Sequence, residues 1–287
     1  MKACYNWRLL FSSKLLPMPT LVHISDLHFG REQADVIEGW FKATQAINPD
    51  RVIISGDLTQ RATDDEFSAA QAFISRLQWP YFVIPGNHDM PTTDLSERFF
   101  NPWKRWQDAI NGNTEPVFKA DSYALVGVNT ARAAGLYFDW SRGQISKKQI
   151  TEVQHKLQGV PADQLKIVVA HHPFWLPEHS EYRDVVVHRD EAIDAFHFAG
   201  VDLILSGHVH VPYTQILNGV LVVHSGTTFS NRLSQNHPNS FNLLQGDHQH
   251  LSIDFMDWTG TEFQSAEQRQ FQRRERGWIQ VAGPTSV

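Results

Sequence analysis

The chain has 287 residues, 41% hydrophobic and 20% charged, which is enough apolar material for one large domain or two small ones. Its net charge of -6 gives a field that disfavours nucleic acid and anionic membranes as partners. A single cysteine, Cys4, excludes an intrachain disulfide and a cysteine metal site, and it fits a reducing, cytoplasmic compartment.

No apolar run reaches the roughly 18–20 residues of a membrane span. Near the N-terminus, Lys2 and Arg8 precede Leu9-Leu10-Phe11, but that run is too short for a signal peptide and no small-residue cleavage site follows. Residues 1–18 therefore read as an extension, and Met18 is a second candidate start.

Leu21-Val22-His23-Ile24-Ser25 reads as a first strand leading into Asp26-Leu27-His28. Val36, Ile37, Trp40, Phe41 and Ile47 recur at helical spacing and predict a helix that ends at Pro49. Val52-Ile53-Ile54 is a second strand, stopping at Ser55-Gly56-Asp57. Thr63 and Glu66 form a capping box, and Phe67, Ala70, Ile74 and Leu77 give the next helix an inner stripe. Tyr81-Phe82-Val83-Ile84 is a third strand, closed by Pro85 and followed by Gly86-Asn87-His88-Asp89. This strand-helix alternation predicts parallel pairing.

Residues 95–110 predict an aromatic-rich helix carrying Phe99, Trp103 and Trp106. Strands are expected over 124–128, 166–170 and 203–205, with helices over 144–157 and 191–198 between them. The second of these strands ends at His171-His172-Pro173 and the third at Gly207-His208-Val209-His210. Asn218-Gly219 and Gly246-Asp247 then mark two hairpins, so the C-terminal third is expected to be mainly antiparallel. Residues 262–276, rich in Gln, Glu and Arg, predict a solvated helix or tail. The organisation expected is an extension over 1–18, one domain over 19–260 and a polar C-terminal helix or tail over 261–287.

Five strand ends thus carry Asp26 and His28; Asp57; Asn87 and His88; His171; and His208 and His210. A lone buried histidine is usually core, and a lone Asp after a strand is usually a helix cap. Five separate ends with nitrogen or oxygen donors point instead to one shared metal site without cysteine. In each Asp-x-His or His-x-His pair, residues i and i+2 project to one side of an extended segment and can aim two donors into one cavity.

These motifs, in this order over roughly residues 20–230, resemble the calcineurin-like metallophosphoesterases, most of all their bacterial class III cyclic-nucleotide phosphodiesterase branch. The resemblance implies an α/β fold, a four-layer αββα sandwich with two mixed β-sheets flanked by helices. It implies two divalent or trivalent metal ions drawn from Mn, Fe, Zn, Co and Ni. Motif by motif, Asp26, His28 and His210 would bind one metal, Asn87, His171 and His208 the other, and Asp57 would bridge them. His171 rather than His172 fits the family's His-x-Pro spacing, and His88 would be the catalytic histidine. The implied reaction is hydrolysis of a small phosphodiester, of cyclic-nucleotide or glycerophosphodiester type, by a metal-bridging hydroxide. A phosphomonoesterase or nucleotidase, a DNA nuclease and a non-catalytic metal-stabilised binding module follow in that order.

One position departs from the protein Ser/Thr phosphatases of the superfamily. They carry Asp three residues after the bridging Asp, and here that residue is Gln60, which weighs against a protein-phosphatase reading. Arg31, Phe174, Tyr213 and Arg232, with Phe29 and Trp175 beside them, are candidate substrate contacts because they lie near the motifs. His224 is a candidate support for the ligands or a buried core residue.

Overall fold

A computed structural model describes residues 18–92, 94–110, 112–133, 141–178, 183–234 and 237–281. The extension over 1–17 and the last residues, 282–287, lie outside the described residues.

The first strand, β1 (Thr20–Ile24), is followed by α1 (Ala34–Ile47), β2 (Arg51–Ile54), α2 (Asp64–Ser75) and β3 (Tyr81–Val83). Thr63 caps α2 as expected, its hydroxyl accepting from Glu66 N–H while the Glu66 carboxylate accepts from Thr63 N–H. A single 3-10 turn over Asn87–Asp89 comes next. The helix expected over 95–110 is in fact two, α3 (Leu95–Phe100) and α4 (Lys104–Ile110). Pro102 separates them: it lacks an N–H and forces Asn101 out of helical geometry.

A short strand absent from the sequence reading, β4 (Val117–Lys119), then precedes β5 (Tyr123–Val128). After it come α5 (Lys147–Leu157), β6 (Leu165–Ala170), α6 (Arg189–Phe198) and β7 (Leu203–Ser206). The two predicted hairpins are β8 (Tyr213–Leu217) with β9 (Val220–His224), and β10 (Ser240–Gly246) with β11 (His250–Trp258).

Residues 262–276 are not a helix or tail. They form β12 (Phe263–Arg274), which pairs antiparallel with β11 on one side and with β13 (Gly277–Val281) on the other. Gln, Glu and Arg favour a helix locally, but a ladder on both sides overrides that preference, and only Phe263 and Phe271 are buried.

The strands build two mixed sheets. One has the order β13-β12-β11-β10-β1-β2-β3 and the other β4-β5-β6-β7-β9-β8. Successive residues of one strand serve opposite layers. Leu21 and Ile53 pack between the sheets with Leu125, Ile167 and Leu205, while Val22, Ile24, Val52 and Ile54 pack outward onto Trp40 of α1 and Phe67 of α2. Val126, Val168 and Ile204 face Ile150 of α5 and Ile193 and Phe196 of α6. The layers are therefore helix, sheet, sheet, helix, the αββα sandwich. In β1, β2 and β3, and again in β5, β6 and β7, neighbours run parallel, so their C-terminal ends come out at one edge of the sandwich.

Candidate metal centre

The loops after β1, β2, β3, β6 and β7 converge at that edge. Asp26, His28 and His210 form one group of facing ligand atoms, and Asp57, His171 and His208 form a second. Within each group these atoms lie within 4.8 Å of one another. Asn87 joins the second group through its Oδ1, 3.0 Å from His208 Nδ1. His172, next in sequence to His171, belongs to neither, since its Nδ1 bonds to the Thr130 hydroxyl at 2.8 Å.

Each carboxylate divides its two oxygens between two tasks. Asp57 Oδ1 accepts from His88 N–H at 2.8 Å, and Asp26 Oδ2 accepts from His208 N–H at 2.9 Å. Asp57 Oδ2 then lies 3.2 Å from His171 Nε2 and 3.8 Å from His28 Nε2, so one oxygen faces both groups. Asp26 Oδ1 faces His210 Nε2 at 3.2 Å.

The backbone is bent hard to achieve this. Asp26, His28, Asp57, His208 and His210 hold φ values of 54°, 46°, 52°, 83° and 59°, a region that non-glycine residues enter rarely and at a cost of about 1–3 kcal/mol each. The glycines leave room for it. A Cβ on Gly86 would lie 2.2 Å from Asp57 Oδ1, and one on Gly207 would lie 1.9 Å from Ser25 Oγ.

The outer ring nitrogens set the tautomers. His171 Nδ1 donates to the Ser55 carbonyl at 2.9 Å, His210 Nδ1 to the Arg232 carbonyl at 2.5 Å, and His28 Nδ1 to the Thr59 carbonyl at 3.3 Å. Carbonyls only accept, so each ring turns Nε2 inward, as a ligand must. Burial holds His28 near pKa 3 and keeps His208 well below the ordinary range, so both are neutral. His171 moves the other way, to about 9: burial lowers it, but Asp57 and then Asp26 outweigh burial. Asp57 is correspondingly well below the usual carboxylate range, because His171 and then His88 overcome its own burial.

This arrangement fits metal ions. Asp26 Oδ1 and His171 Nε2 are buried and meet only charged neighbours, His210 and Asp57, each at 3.2 Å and without hydrogen-bond geometry, which leaves both atoms free to turn to a bound cation. The donors are nitrogen and oxygen throughout, and the carboxylates supply the negative charge that a pair of cations needs.

His88 stands beside the groups, its ring centroid 4.9 Å from that of His28. Its Nδ1 donates to the Gln60 carbonyl at 2.8 Å, so Nε2 of the neutral ring is an acceptor. The sequence reading missed Asp89 as a support. Its buried carboxylate accepts from the N–H groups of Gly86, Leu58 and Thr59, which ties the Asn87–Asp89 turn to the loop after β2. Burial and then Asp57 push Asp89 up to about 7.

The sequence of the family described as calcineurin-like phosphoesterase matches residues 19–212, more than half of the chain. The chain belongs to that family. This phosphoesterase is thus a metal-dependent phosphoester hydrolase by family. It is 23% identical over 216 residues to the probable glycerophosphodiester phosphodiesterase GpdQ of Arcobacter nitrofigilis, covering 71% of this chain and 76% of that protein. It is 25% identical over 235 residues to a probable cyclic nucleotide phosphodiesterase of Rhodococcus erythropolis, covering 76% and 74%. Its fold is like that of a dimetal phosphatase from Danio rerio, with a TM-score of 0.61 at 11% identity, covering 89% of this chain and 99% of that one.

The expected substrate contacts divide. Arg232 reaches the centre, with Nη1 3.1 Å from His88 Nε2. Arg31 is exposed and adjoins the centre through its backbone, its N–H donating to the His28 carbonyl at 2.8 Å. Phe174 and Phe29 are buried in the core and offer substrate no surface. Tyr213 is also buried, stacked on His224 at 4.5 Å with its hydroxyl donating to the Trp175 carbonyl. An apolar ring near a motif in sequence is drawn under the sheet because that is where its area leaves water. His224 lies behind the ligand loop after β7, its Nδ1 donating to the Val211 carbonyl at 2.8 Å.

Proposed function

We propose that this phosphoesterase hydrolyses a small phosphodiester, of cyclic-nucleotide or glycerophosphodiester type. Asp26, His28 and His210 would hold one cation, Asn87, His171 and His208 the other, and Asp57 would lie between them. The observation that carries the reading is the single Asp57 oxygen facing His171 and His28 at once. When bound, the two cations supply Lewis-acid stabilisation of the phosphoryl oxygens and an activated water.

The chain's own residues do the rest. Asp57 and Asp26 offset the charge gathered at the centre, and each is held in register by a backbone N–H on its other oxygen. His88 is oriented by an uncharged carbonyl rather than by a carboxylate, since Gln60 contributes only its backbone. In the protonated ring Nε2 carries a proton, and from this position it can pass it to a departing alkoxide. The preference for a diester is supported by the names of the two relatives and by the absence of the phosphatase-type Asp at Gln60.

The mixed nitrogen and oxygen donor set suits manganese, iron, cobalt, nickel or zinc. Among the described residues no helix is long and apolar enough to cross a membrane, and the single cysteine supports a cytoplasmic setting. The test is a substrate panel on metal-reconstituted protein, comparing cyclic nucleotides, glycerophosphodiesters, monoesters and DNA. Faster turnover of monoesters than of every diester would move the assignment to the phosphatase or nucleotidase alternative.

A further inference from the structure

We infer that Arg232 is a catalytic residue of this centre, which binds a non-bridging oxygen of the substrate phosphate opposite the cations. This inference rests on the proposed phosphodiester reaction and adds a residue to it.

The first observation is a crowding of positive charge. Arg232 Nη1 lies 3.3 Å from His28 Nε2, the nitrogen that would face the first cation, and 3.1 Å from His88 Nε2. A guanidinium and a metal ion converging on one imidazole repel each other strongly in a site shielded from water. An anion between them turns that repulsion into two attractions. Among the described residues no carboxylate forms an ion pair with Arg232, so none of them supplies the anion. A phosphate oxygen does so, and guanidinium is the side chain that best matches it.

The second observation is that the loop presenting Arg232 is built to hold it. Thr227 Oγ1 donates to the Asp26 carbonyl at 2.6 Å and pairs with Ser230 Oγ at 2.7 Å. The Asn239 amide donates to the Ser230 carbonyl at 2.8 Å, and Asn231 N–H donates to the Arg31 carbonyl at 2.9 Å. Thr227, Thr228 and Ser230 are all buried. An ordinary surface arginine has no such frame. Here the loop is fastened to the Asp26 and Arg31 segments, so the guanidinium starts from a fixed place beside the centre.

The third observation concerns His88. With Nδ1 committed to the Gln60 carbonyl, Nε2 accepts from Arg232. A phosphate oxygen that takes over the Arg232 N–H frees Nε2 from that contact.

The test uses full-length, metal-loaded protein with Arg232→Met and Arg232→Lys. Neither change removes the Arg232 backbone carbonyl that orients His210. Metal content is measured by elemental analysis, inorganic phosphate affinity by calorimetry, and kcat and KM on bis(4-nitrophenyl) phosphate. The expected result for Arg232→Met is unchanged metal content, phosphate binding weaker by about 10- to 100-fold and a similar fall in kcat/KM, the size of one lost charge-assisted contact. Arg232→Lys should recover part of both. Phosphate affinity and kcat/KM both within twofold of wild type would overturn the inference. So would a loss of metal in Arg232→Met whose restoration also restores phosphate affinity, because Arg232 would then act on the ligands alone. A wild-type protein that binds metals and phosphate but turns over no diester would defeat the proposed reaction, while the phosphate measurement would still decide the role of Arg232.

Discussion

At one edge of the sandwich, five residues of the candidate metal centre, Asp26, His28, Asp57, His208 and His210, sit in left-handed backbone geometry. At the opposite edge the tips of the β8–β9 and β12–β13 hairpins close on each other. A Cβ on Gly277 would lie 2.3 Å from the Gly219 Cα, and Trp278 N–H donates to the Gly219 carbonyl at 3.2 Å. Nearby, Arg273 pairs with the buried Asp202, whose other oxygen accepts from Lys166 N–H. At the first edge five donor-bearing residues that are not glycine take positive φ, whereas the second turns mainly on glycines, Gly219 and Gly277, and is closed by the Arg273–Asp202 ion pair. Sparsely populated backbone geometry persists only where the surrounding packing over-determines it, so the first edge depends on the sheets behind it in a way that the glycine turns of the second do not. Changes at the first edge should alter chemistry more than stability, and changes at the second the reverse.

The strongest test of that contrast is Asp57→Asn. A neutral amide cannot offset two cations, so metal content and activity should fall together, activity by more than the roughly 10²–10³-fold loss of one transition-state donor. Elemental analysis beside kinetics checks it, and two metals per chain with near-normal turnover would sink the bridging assignment. Next in size is His88→Ala. It should keep its metals and lose about 10²–10⁴-fold on an alkyl or cyclic diester, with a much smaller loss on a nitrophenyl diester whose leaving group needs no proton. Equal losses on both substrates would assign His88 to phosphate positioning instead.

Metal affinity itself should depend on pH. His171 must be neutral to bind a cation, and in the metal-free protein its pKa is raised to about 9. Below that pH a proton competes with the metal, so affinity should rise with pH, by up to about tenfold per unit for this one proton, and level off near 9. Metal titrations at several pH values in a non-coordinating buffer check the slope. A flat profile from pH 6 to 8 would show that His171 is already neutral.

The smallest effect on chemistry is expected at the far edge. Gly277 has φ 115°, where an L side chain is strained, and its Cβ would meet the Gly219 backbone. Gly277→Ala should cost about 1–3 kcal/mol and lower Tm by a few degrees. Its kcat at 25 °C should stay at the wild-type value, and a kcat loss without a Tm loss would break the contrast between the two edges.

The catalytic edge was the readable part of the sequence. Asp26-x-His28, Gly56-Asp57, Gly86-Asn87-His88-Asp89 and Gly207-His208-x-His210 are short motifs, each at the end of an apolar strand, and the structure brings the ends together. Strand identity came from runs such as Val52-Ile53-Ile54, buried on both faces. Residues 262–276 were misread because their composition favours a helix, and nothing local reports that β11 and β13 flank them. Phe174 and Tyr213 were misplaced for a related reason: nearness in sequence does not say which side of a sheet a ring faces.

Donor types, the parallel pairing of the first three strands and the two hairpin turns were legible in the sequence, because metal preference, strand burial and turn geometry are properties of a few adjacent residues. Only the packed sheets show which oxygen of Asp57 faces both donor groups, that the Gln60 backbone rather than its side chain orients His88, and that Arg232 points at both His28 and His88. Those facts depend on angles and distances between segments as much as 204 residues apart, as for His28 and Arg232, and such distances are fixed only when the two sheets pack.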